Sequence, residues 1–285
     1  MDSDYGTVEI FPADNPWNTV IADYPPHPYS DAIISTIGAD TPLHPDFGTV
    51  WNGAPNGIPY VVVAPDQETV TVRFQYAHES DPGPYPIPQN PPIEGGPSSN
   101  GDRHILMIDP ASKTLYELFR AYREPDGWRA RSGAIFDLTS NALRPTCWTS
   151  ADAAGLPIFP GLARYDEVVQ GEIRHALRLT VRKSRRAFIP PATHFASRHN
   201  DASLPPMGLR LRLKRSVNVS DFPPQARVIL TALKRYGMIL ADNGGDWYIS
   251  GAPNPKWNDS DLRSIKQLRG SDLEVVYTGD PVIGP

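Results

Sequence analysis

Hydrophobic and polar residues alternate along several short segments of the chain, as they do in half-buried β-strands. Residues 69–76 (TVTVRFQY) alternate apolar with polar side chains, and residues 208–214 (GLRLRLK) alternate leucine with basic residues. Further strand patterns occupy residues 60–64, 104–109, 114–122, 133–138, 173–181, 238–242 and 247–250. The turn sequences PASK at 110–113 and NGGD at 243–246 predict tight connections between the strands that flank them.

Helical periodicity is clear near the carboxyl end. Residues 225–236 (QARVILTALKRY) are amphipathic, follow two prolines that suit a first helical turn, and end at Gly237. A weaker helix is predicted over 258–268, capped by Asn258 or Ser260. About ten strands, one or two helices and no βαβ alternation predict a mainly β fold. We expect a β-sandwich or a barrel-like antiparallel architecture.

Proline adds long loops to this picture, because it is excluded from helix interiors and central strands. The chain has 32 prolines in 285 residues, and seven of them lie in residues 80–100 (SDPGPYPIPQNPPIEGGPSSN). This segment is either a linker or an ordered surface loop. Few strands precede it, and a unit of two or three strands is marginal alone. We therefore expect a long ordered loop within a single domain, residues 1–285.

Composition and charge narrow the class of partner. The net charge is −5, which disfavours a nucleic-acid partner. The sequence has no apolar run of 18 residues, so no membrane-spanning segment is predicted. It has a single cysteine, Cys147, and no basic-apolar signal at its start. Richness in Pro, Asn and Trp favours a secreted or extracellular chain whose export signal has been removed. No cofactor is expected, because GxGxxG, GxxxxGK[ST] and GxSxG motifs are absent.

Residues 147–168 (CWTSADAAGLPIFPGLARYDEV) gather many functional groups in one connection. Thr149 or Ser150 can cap a short helix over 151–154, which places Asp152 in a first turn. The stretch is either a capped connection with solvated charges or the wall of a cleft. In the second interpretation Trp148, Asp152 and one of Asp166 or Glu167 line that cleft.

Histidines provide a second set of candidates. Asp102 and His104 lie two residues apart at the start of a strand, so they share a side and can support proton transfer. His175 falls on the apolar face of segment 173–181, where it is a paired core residue or part of a cleft wall. We expect His104 and His175 to share a cleft. His194 and His199 follow in a loop, but their spacing is a weak signal for metal, and no metal site is predicted.

These groups favour a secreted carbohydrate-active enzyme, most simply a glycoside hydrolase acting on a polysaccharide. Glycosidic cleavage requires one protonated and one ionised carboxyl group, which we assign to Asp102 and Asp152. His104 and His175 would tune protonation, and an Asp152→Asn substitution would lower activity while barely changing the fold. Substrate-binding candidates are Trp148, Arg164, Tyr165, Asp166 and His194. The alternatives are a polysaccharide lyase and a non-catalytic carbohydrate-binding or surface-interaction module.

Five segments also carry a resemblance to a known family. They are GDRHILMIDPASKTLYELFRAY, SGAIFDLTSNALRP, TSADAAGLPIFPGLARYDEV, PPMGLRLRLK and YGMILADNGGDWYISGAP. Over roughly residues 10–278 the chain resembles a family of secreted bacterial proteins to which no activity is assigned. The resemblance implies export, a single domain and association with polysaccharide-related modules. It supplies no catalytic residues.

Overall fold

The fold is mainly β, with 26% of residues in strands, 16% in helices and several separate sheets. The computed structural model describes residues 9–284. Its strands are β1 His44–Asp46, β2 Val50–Trp51, β3 Ala54–Pro55, β4 Tyr60–Val62, β5 Val72–Phe74, β6 Ile105–Asp109, β7 Thr114–Phe119, β8 Tyr122–Glu124, β9 Gly127–Ala130, β10 Ser132–Asp137, β11 Leu177–Val181, β12 Ala187–Phe188, β13 Arg210–Leu213, β14 Met238–Asn243, β15 Tyr248–Ser250, β16 Leu273–Val276 and β17 Val282–Ile283. Its α-helices are α1 Ser30–Ile37, α2 Tyr165–Gln170, α3 Pro224–Arg235 and α4 Asp259–Ser264.

The largest sheet has six strands in the order β1-β15-β11-β14-β13-β16, with an edge at each end, so it does not close into a barrel. It is mixed rather than antiparallel, because β1 runs parallel to β15 and β11 runs parallel to β14. The tight hairpin predicted at 243–246 is wrong. Strands β14 and β15 lie on opposite sides of β11, which pairs with both.

A four-stranded sheet, in the order β10-β7-β6-β4, is buried on both faces. The strand pairing β6–β7 confirms the hairpin predicted around residues 110–113. One face of this sheet joins the hydrophobic core that also contains the six-stranded sheet, through Leu106, Ile108, Leu115, Ala134 and Phe136. The other face packs in a second core with the three-stranded sheet β5-β9-β8. Burial on both faces accounts for the continuous apolar run of β6.

Residues 150–161 lie between the two large sheets. Asp152 contacts Arg178 of β11, while Ile158 and Phe159 donate their backbone N–H groups to Glu117 of β7. The segment is made of turns and ends in a short 3-10 helix, Phe159–Gly161, so the helix predicted over 151–154 is wrong. Arg178 from one sheet and Glu117 from the other therefore hold this connection in the interior.

The helices cover the six-stranded sheet and its edge. Helix α3 packs against β13 and buries Ala226, Ile229, Leu230 and Leu233, which confirms the amphipathic pattern of 225–236. Helix α4 begins after Asn258, whose side chain accepts hydrogen bonds from Ser260 N and Asp261 N. Within residues 9–284, no helix has the length and apolar character needed to cross a membrane.

The Pro-rich segment 80–100 packs against the body of the protein. Tyr85 and Ile87 are buried in the second core, where Tyr85 meets the ring of Phe74 edge to face. Further along, Glu94 N donates a hydrogen bond to His104 O at 3.1 Å. The segment thus crosses from the second core to the edge of the cavity described next.

Candidate functional site

One face of the six-stranded sheet carries polar side chains, and this face forms the floor of a cavity. In the strand register, Asp46 lies opposite Ser250 and His44 lies opposite Tyr248, which in turn lies opposite Thr180. Paired residues project to the same face and alternate residues share it, so Arg178 joins this set. The opposite face carries leucines and isoleucines and is buried. Three neighbouring strands thus present a row of polar groups to the cavity.

A β-bulge in β14 adds a further carboxylate to this face. Leu179 pairs with Leu240, but Thr180 pairs with Asp242, so Ala241 is the extra residue. A regular register would place Asp242 on the opposite face from Arg178, because side chains alternate with a period of two. The carbonyl oxygen of Ala241 accepts a hydrogen bond from Ala154 N at 2.9 Å. The bulge is thus attached to segment 150–161 and turns Asp242 towards Arg178.

The cavity over this floor has a volume of about 330 Å³. Its walls come from the β2–β3 hairpin, the end of the Pro-rich segment, the start of β6 and the loop 243–245. Gly245 belongs to that loop and packs directly against the ring of Tyr248. Any other residue at position 245 would bring its Cβ atom into overlap with that ring. The lining groups that carry charge or an aromatic ring are Asp46, Trp51, Glu94, Asp102, His104, Arg178, Asp242 and Tyr248.

Arg178 is the buried cation beneath the cavity. Its Nε and Nη2 donate to both carboxylate oxygens of Asp152 at 2.8 and 2.7 Å. Its Nη1 donates to Ser250 Oγ at 2.8 Å, and Nη2 also reaches Asp242 at 3.2 Å. Burial acts to lower the pKa of Arg178, but Asp152 and Asp242 raise it further, so the guanidinium stays charged. The Asp152 side chain is fully buried behind Arg178 and is inaccessible from the cavity.

His104 and Glu94 form an ion pair at the cavity wall. His104 Nδ1 lies 2.6 Å from Glu94 Oε2, and Nε2 lies 3.1 Å from the carbonyl oxygen of Ala151. Both partners are acceptors, so both ring nitrogens carry protons and the imidazole is cationic. Burial acts to lower the pKa of His104, but Glu94 outweighs it and the pKa rises to about 9. Burial likewise acts to raise the pKa of Glu94, yet His104 holds it below its usual value.

For Asp242 and Asp46 the pKa moves in the opposite direction to that of Glu94. Burial, followed by the negative charge of Asp152, raises the pKa of Asp242 to about 7. Desolvation by the cavity walls, followed by the charge of Glu94, raises the pKa of Asp46. The cavity therefore combines an ionised carboxylate, Glu94, with a carboxyl group that stays largely protonated in mildly acidic solution, Asp242.

The predicted catalytic residues separate into three places. Asp102 and His104 line the cavity, whereas Asp152 is buried behind Arg178. His175 does not line the cavity that His104 lines. Strand β11 begins at Leu177, and the His175 ring, just before it, bonds Ala176 O at 2.7 Å and Glu167 Oε2 at 3.1 Å.

The residues predicted to bind substrate do not line the cavity. Arg164 belongs to the His175 cluster and donates to Glu167 Oε1 at 2.6 Å. The ring of Tyr165 packs edge-on against Trp257, and the ring of Trp148 faces the guanidinium of Arg144 at 5.7 Å. Asp166 is half-buried in α2. The His194 ring bonds Ala153 O and stacks on Phe195.

Four charged residues of the cavity were missed by the sequence analysis: Asp46, Glu94, Arg178 and Asp242. Arg178 had a usable signal, because it alternates with the leucines of a predicted buried strand. Glu94 is one of two acidic residues in the Pro-rich segment, the other being Asp81. That composition drew attention to Glu94 but did not predict which residue it contacts. Asp46 and Asp242 had no signal, since strand pairing and a bulge bring them together.

Metal binding and relatives give no further guidance. Among the residues that the structure describes, no group of three or more His, Cys, Asp or Glu side chains is arranged to hold a metal ion. Comparisons with protein-family models, curated proteins and solved structures give no match for this chain. Function therefore has to be inferred from the cavity itself.

Proposed function

We propose that this protein is a secreted glycoside hydrolase that cleaves a polysaccharide in the cavity above Arg178. The observation that carries the proposal is the convergence of four carboxyl side chains with two aromatic rings in one cavity of about 330 Å³. Glycosidic cleavage requires a carboxylic acid that protonates the leaving oxygen and an ionised carboxylate that acts as base or nucleophile. A pair of carboxyl groups whose surroundings separate their pKa values meets that requirement.

Asp242 is the proposed acid and Glu94 the proposed base or nucleophile. Both side chains are 26% exposed, so each can reach a ligand. With the pKa of Asp242 at about 7 and that of Glu94 below its usual value, mildly acidic solution holds both in the required protonation states. Activity should accordingly fall as the pH rises above about 7, because Asp242 then loses its proton.

Arg178, Asp152 and His104 act as positioning residues in this scheme. Arg178, which is held by Asp152, binds Asp242 and Ser250 at the floor, and His104 orients Glu94. His104 is not available as a general base, since both of its ring nitrogens already face acceptors. This assignment replaces the earlier pair Asp102 and Asp152, because Asp152 is fully buried and cannot contact a sugar, which leaves Asp102 without its partner.

Two aromatic rings are placed to stack on sugar. Trp51 lines the cavity from the β2–β3 hairpin and is 68% exposed. Tyr248 rises from the floor, with its ring stacked on His44 at a centroid distance of 4.0 Å. An exposed indole beside a carboxylate-rich cavity suits the apolar C–H face of a pyranose. A layered sandwich of the two large sheets is the scaffold we propose for this arrangement.

The proposal is tested by incubating the protein with a panel of polysaccharides and measuring new reducing ends. Glu94→Gln and Asp242→Asn should each lower the rate by about 10²–10⁴-fold, because each removes an acid–base group. The exposed Asp66→Asn, outside the cavity lining, is the matched control and should retain full activity. A hydrolytic activity that survives in both cavity variants would contradict the assignment.

A non-catalytic carbohydrate-binding module is the second candidate, and the exposure of Trp51 favours it. It is identified by retention on a polysaccharide without new reducing ends. A lyase has less support, because Arg178 and His104, the cationic groups of the described lining, are already committed to protein acceptors. A lyase would be recognised by the absorbance of an unsaturated uronate.

A further inference from the structure

The two cavity carboxylates that the proposed reaction does not use differ from all the others at the site. Asp46 and Asp102 line the cavity, but within residues 9–284 no hydrogen bond or ion pair reaches either side-chain carboxylate. Glu94, Asp152 and Asp242 each have a cationic partner. The two uncommitted carboxylates are therefore available to a ligand.

The cavity has no equivalent positive group to offer. Among the described residues, the cations that line the cavity are Arg178 and His104. Both already donate hydrogen bonds to carboxylate, carbonyl or hydroxyl oxygens of the protein. His44, beside Asp46, is held neutral, because burial and then Lys266 lower its pKa to about 4. Lys266 acts on Asp46 from outside the lining, without an ion pair.

The cavity lining carries more negative than positive charge when Asp242 is protonated, as the proposed reaction requires. With Asp242 protonated, the lining holds three carboxylates, Asp46, Glu94 and Asp102, against two cations, and Arg178 is also balanced by Asp152. An anionic sugar such as a uronate would meet like charges and no free cation. A sugar with an ammonium group would place a donor and a positive charge beside unpaired acceptors.

We propose that the sugar unit bound beside Asp46 and Asp102 carries an ammonium group, so that the substrate is an amino-sugar polysaccharide. This inference rests on the proposed function and specifies its substrate class. The aromatic rings of Trp51 and Tyr248 contact the apolar faces of the sugar, while the carboxylates accept hydrogen bonds from its ammonium group.

Binding and cleavage can be measured separately. Equilibrium binding is measured by calorimetry in the Asp242→Asn variant, in which turnover should be about 10²–10⁴-fold slower, at about pH 6, where most amino groups are protonated. The probes are glucosamine oligosaccharides, their N-acetylated counterparts and galacturonate oligosaccharides of the same length. We expect the glucosamine oligomer to bind about 10-fold more tightly than the N-acetylated one, since a charge-assisted hydrogen bond has roughly that effect. The galacturonate oligomer should bind most weakly.

A second substitution assigns the preference to its residue. Adding Asp46→Asn should weaken glucosamine binding about 10-fold and leave N-acetylated binding within about 2-fold, whereas adding the control Asp66→Asn should change neither. Raising the salt concentration should reduce the preference. Equal binding of charged and neutral oligomers, tighter binding of galacturonate, or no binding of the glucosamine oligomer would each overturn the inference.

The two proposals fail in different ways. The wild-type protein could release reducing ends from a neutral polysaccharide while binding shows no preference for the glucosamine oligomer. The proposed substrate class would then be wrong, and the proposed hydrolase activity would stand. If the glucosamine preference is found but no polysaccharide is cleaved, the binding site remains and the hydrolase is wrong.

Discussion

Two clusters in this protein are built from the same kinds of residue and differ in their access to solvent. In one, Arg178 and His104 pair with Asp152, Asp242 and Glu94; in the other, Arg164 and His175 pair with Glu167. Every member of the first cluster except Asp152 lines a cavity of about 330 Å³, and no residue of the second cluster lines it. Buried arginine, histidine and carboxylate together thus indicate a paired polar cluster, and the adjoining cavity is the reason why we propose a chemical role for the first cluster alone.

The sharpest test of this contrast compares activity when each cluster loses a carboxylate charge. Asp242→Asn should lower the turnover rate by about 10²–10⁴-fold, because it removes the proposed proton donor. Glu167→Gln should keep the rate within a few-fold, because Glu167 contacts protein groups alone among the described residues. Rates are measured on folded protein, verified by circular dichroism. Equal losses in the two variants would erase the functional distinction.

Both clusters should contribute to stability, and the buried end of the cavity cluster should contribute slightly more. Asp152→Asn should lower the free energy of unfolding by about 3 kcal/mol, because Arg178 loses its bidentate partner while staying buried. This revises the earlier expectation that the substitution would barely affect the fold. Glu167→Gln, with a side chain that is 15% exposed, should cost roughly 2 kcal/mol.

Chemical denaturation of both variants at pH 7 measures the two values. If Asp152→Asn unfolds at the wild-type denaturant concentration, the bidentate contact contributes nothing to stability and the structural role assigned to Asp152 is wrong.

The His104–Glu94 pair predicts how stability depends on pH. The pKa of His104 is about 9 in the folded protein and about 6.5 in the unfolded chain, so its contribution is complete below about pH 6.5 and is lost as the pH rises through about 9. The pKa of Glu94 is lowered, so its contribution is lost as the pH falls below the unfolded value. The pair should therefore stabilise most between these limits, by roughly 3 kcal/mol.

Denaturation curves of the wild type and of His104→Gln between pH 4 and 10 provide the measurement. The difference between the two should be largest in mildly acidic solution, between about pH 5 and 6.5, and shrink towards pH 10. A difference that stays constant across the alkaline range would show that the imidazole is neutral in the folded protein.

The smallest effect on function is expected from Trp51, an exposed residue of the cavity wall. Trp51→Ala should weaken polysaccharide binding about 10-fold while leaving the unfolding midpoint unchanged, because the indole is 68% exposed and lines the cavity. Leu143→Ala, at a site that is 52% exposed and outside the cavity lining, is the control and should change neither quantity. Loss of stability without loss of affinity in Trp51→Ala would remove Trp51 from the proposed binding surface.

Local pattern predicted much of the secondary structure, because alternation and amphipathicity depend on neighbouring residues. The segments around β6, β7, β11, β13, β14 and α3 were identified in this way. Turn sequences predicted strand pairing at residues 110–113, where β6 pairs with β7, but not at 243–246, where β11 separates β14 from β15. A Gly-Gly turn indicates that the chain reverses direction. It does not indicate whether another strand, here β11, lies between the two strands that the turn connects.

The candidate site was less predictable for the same reason. Asp102 and His104 were found because they adjoin a strand in sequence. Asp46, Arg178 and Asp242 come from separate strands and meet through register and through the bulge at Ala241, neither of which leaves a sequence pattern. The polar stretch 147–168 was conspicuous because it lies between two sheets, where each polar group needs an internal partner.

The Pro-rich segment has a thermodynamic consequence for Glu94. Each proline restricts the unfolded chain, so a segment with seven prolines in residues 80–100 loses less conformational entropy on folding than a glycine-serine segment of equal length. Glu94 stands at the end of this stiff stretch, immediately before Gly95 and Gly96. The segment therefore places the Glu94 carboxylate at the cavity with a smaller loss of conformational entropy than a flexible segment would need. Replacing its prolines would raise the entropic cost of holding that carboxylate in place.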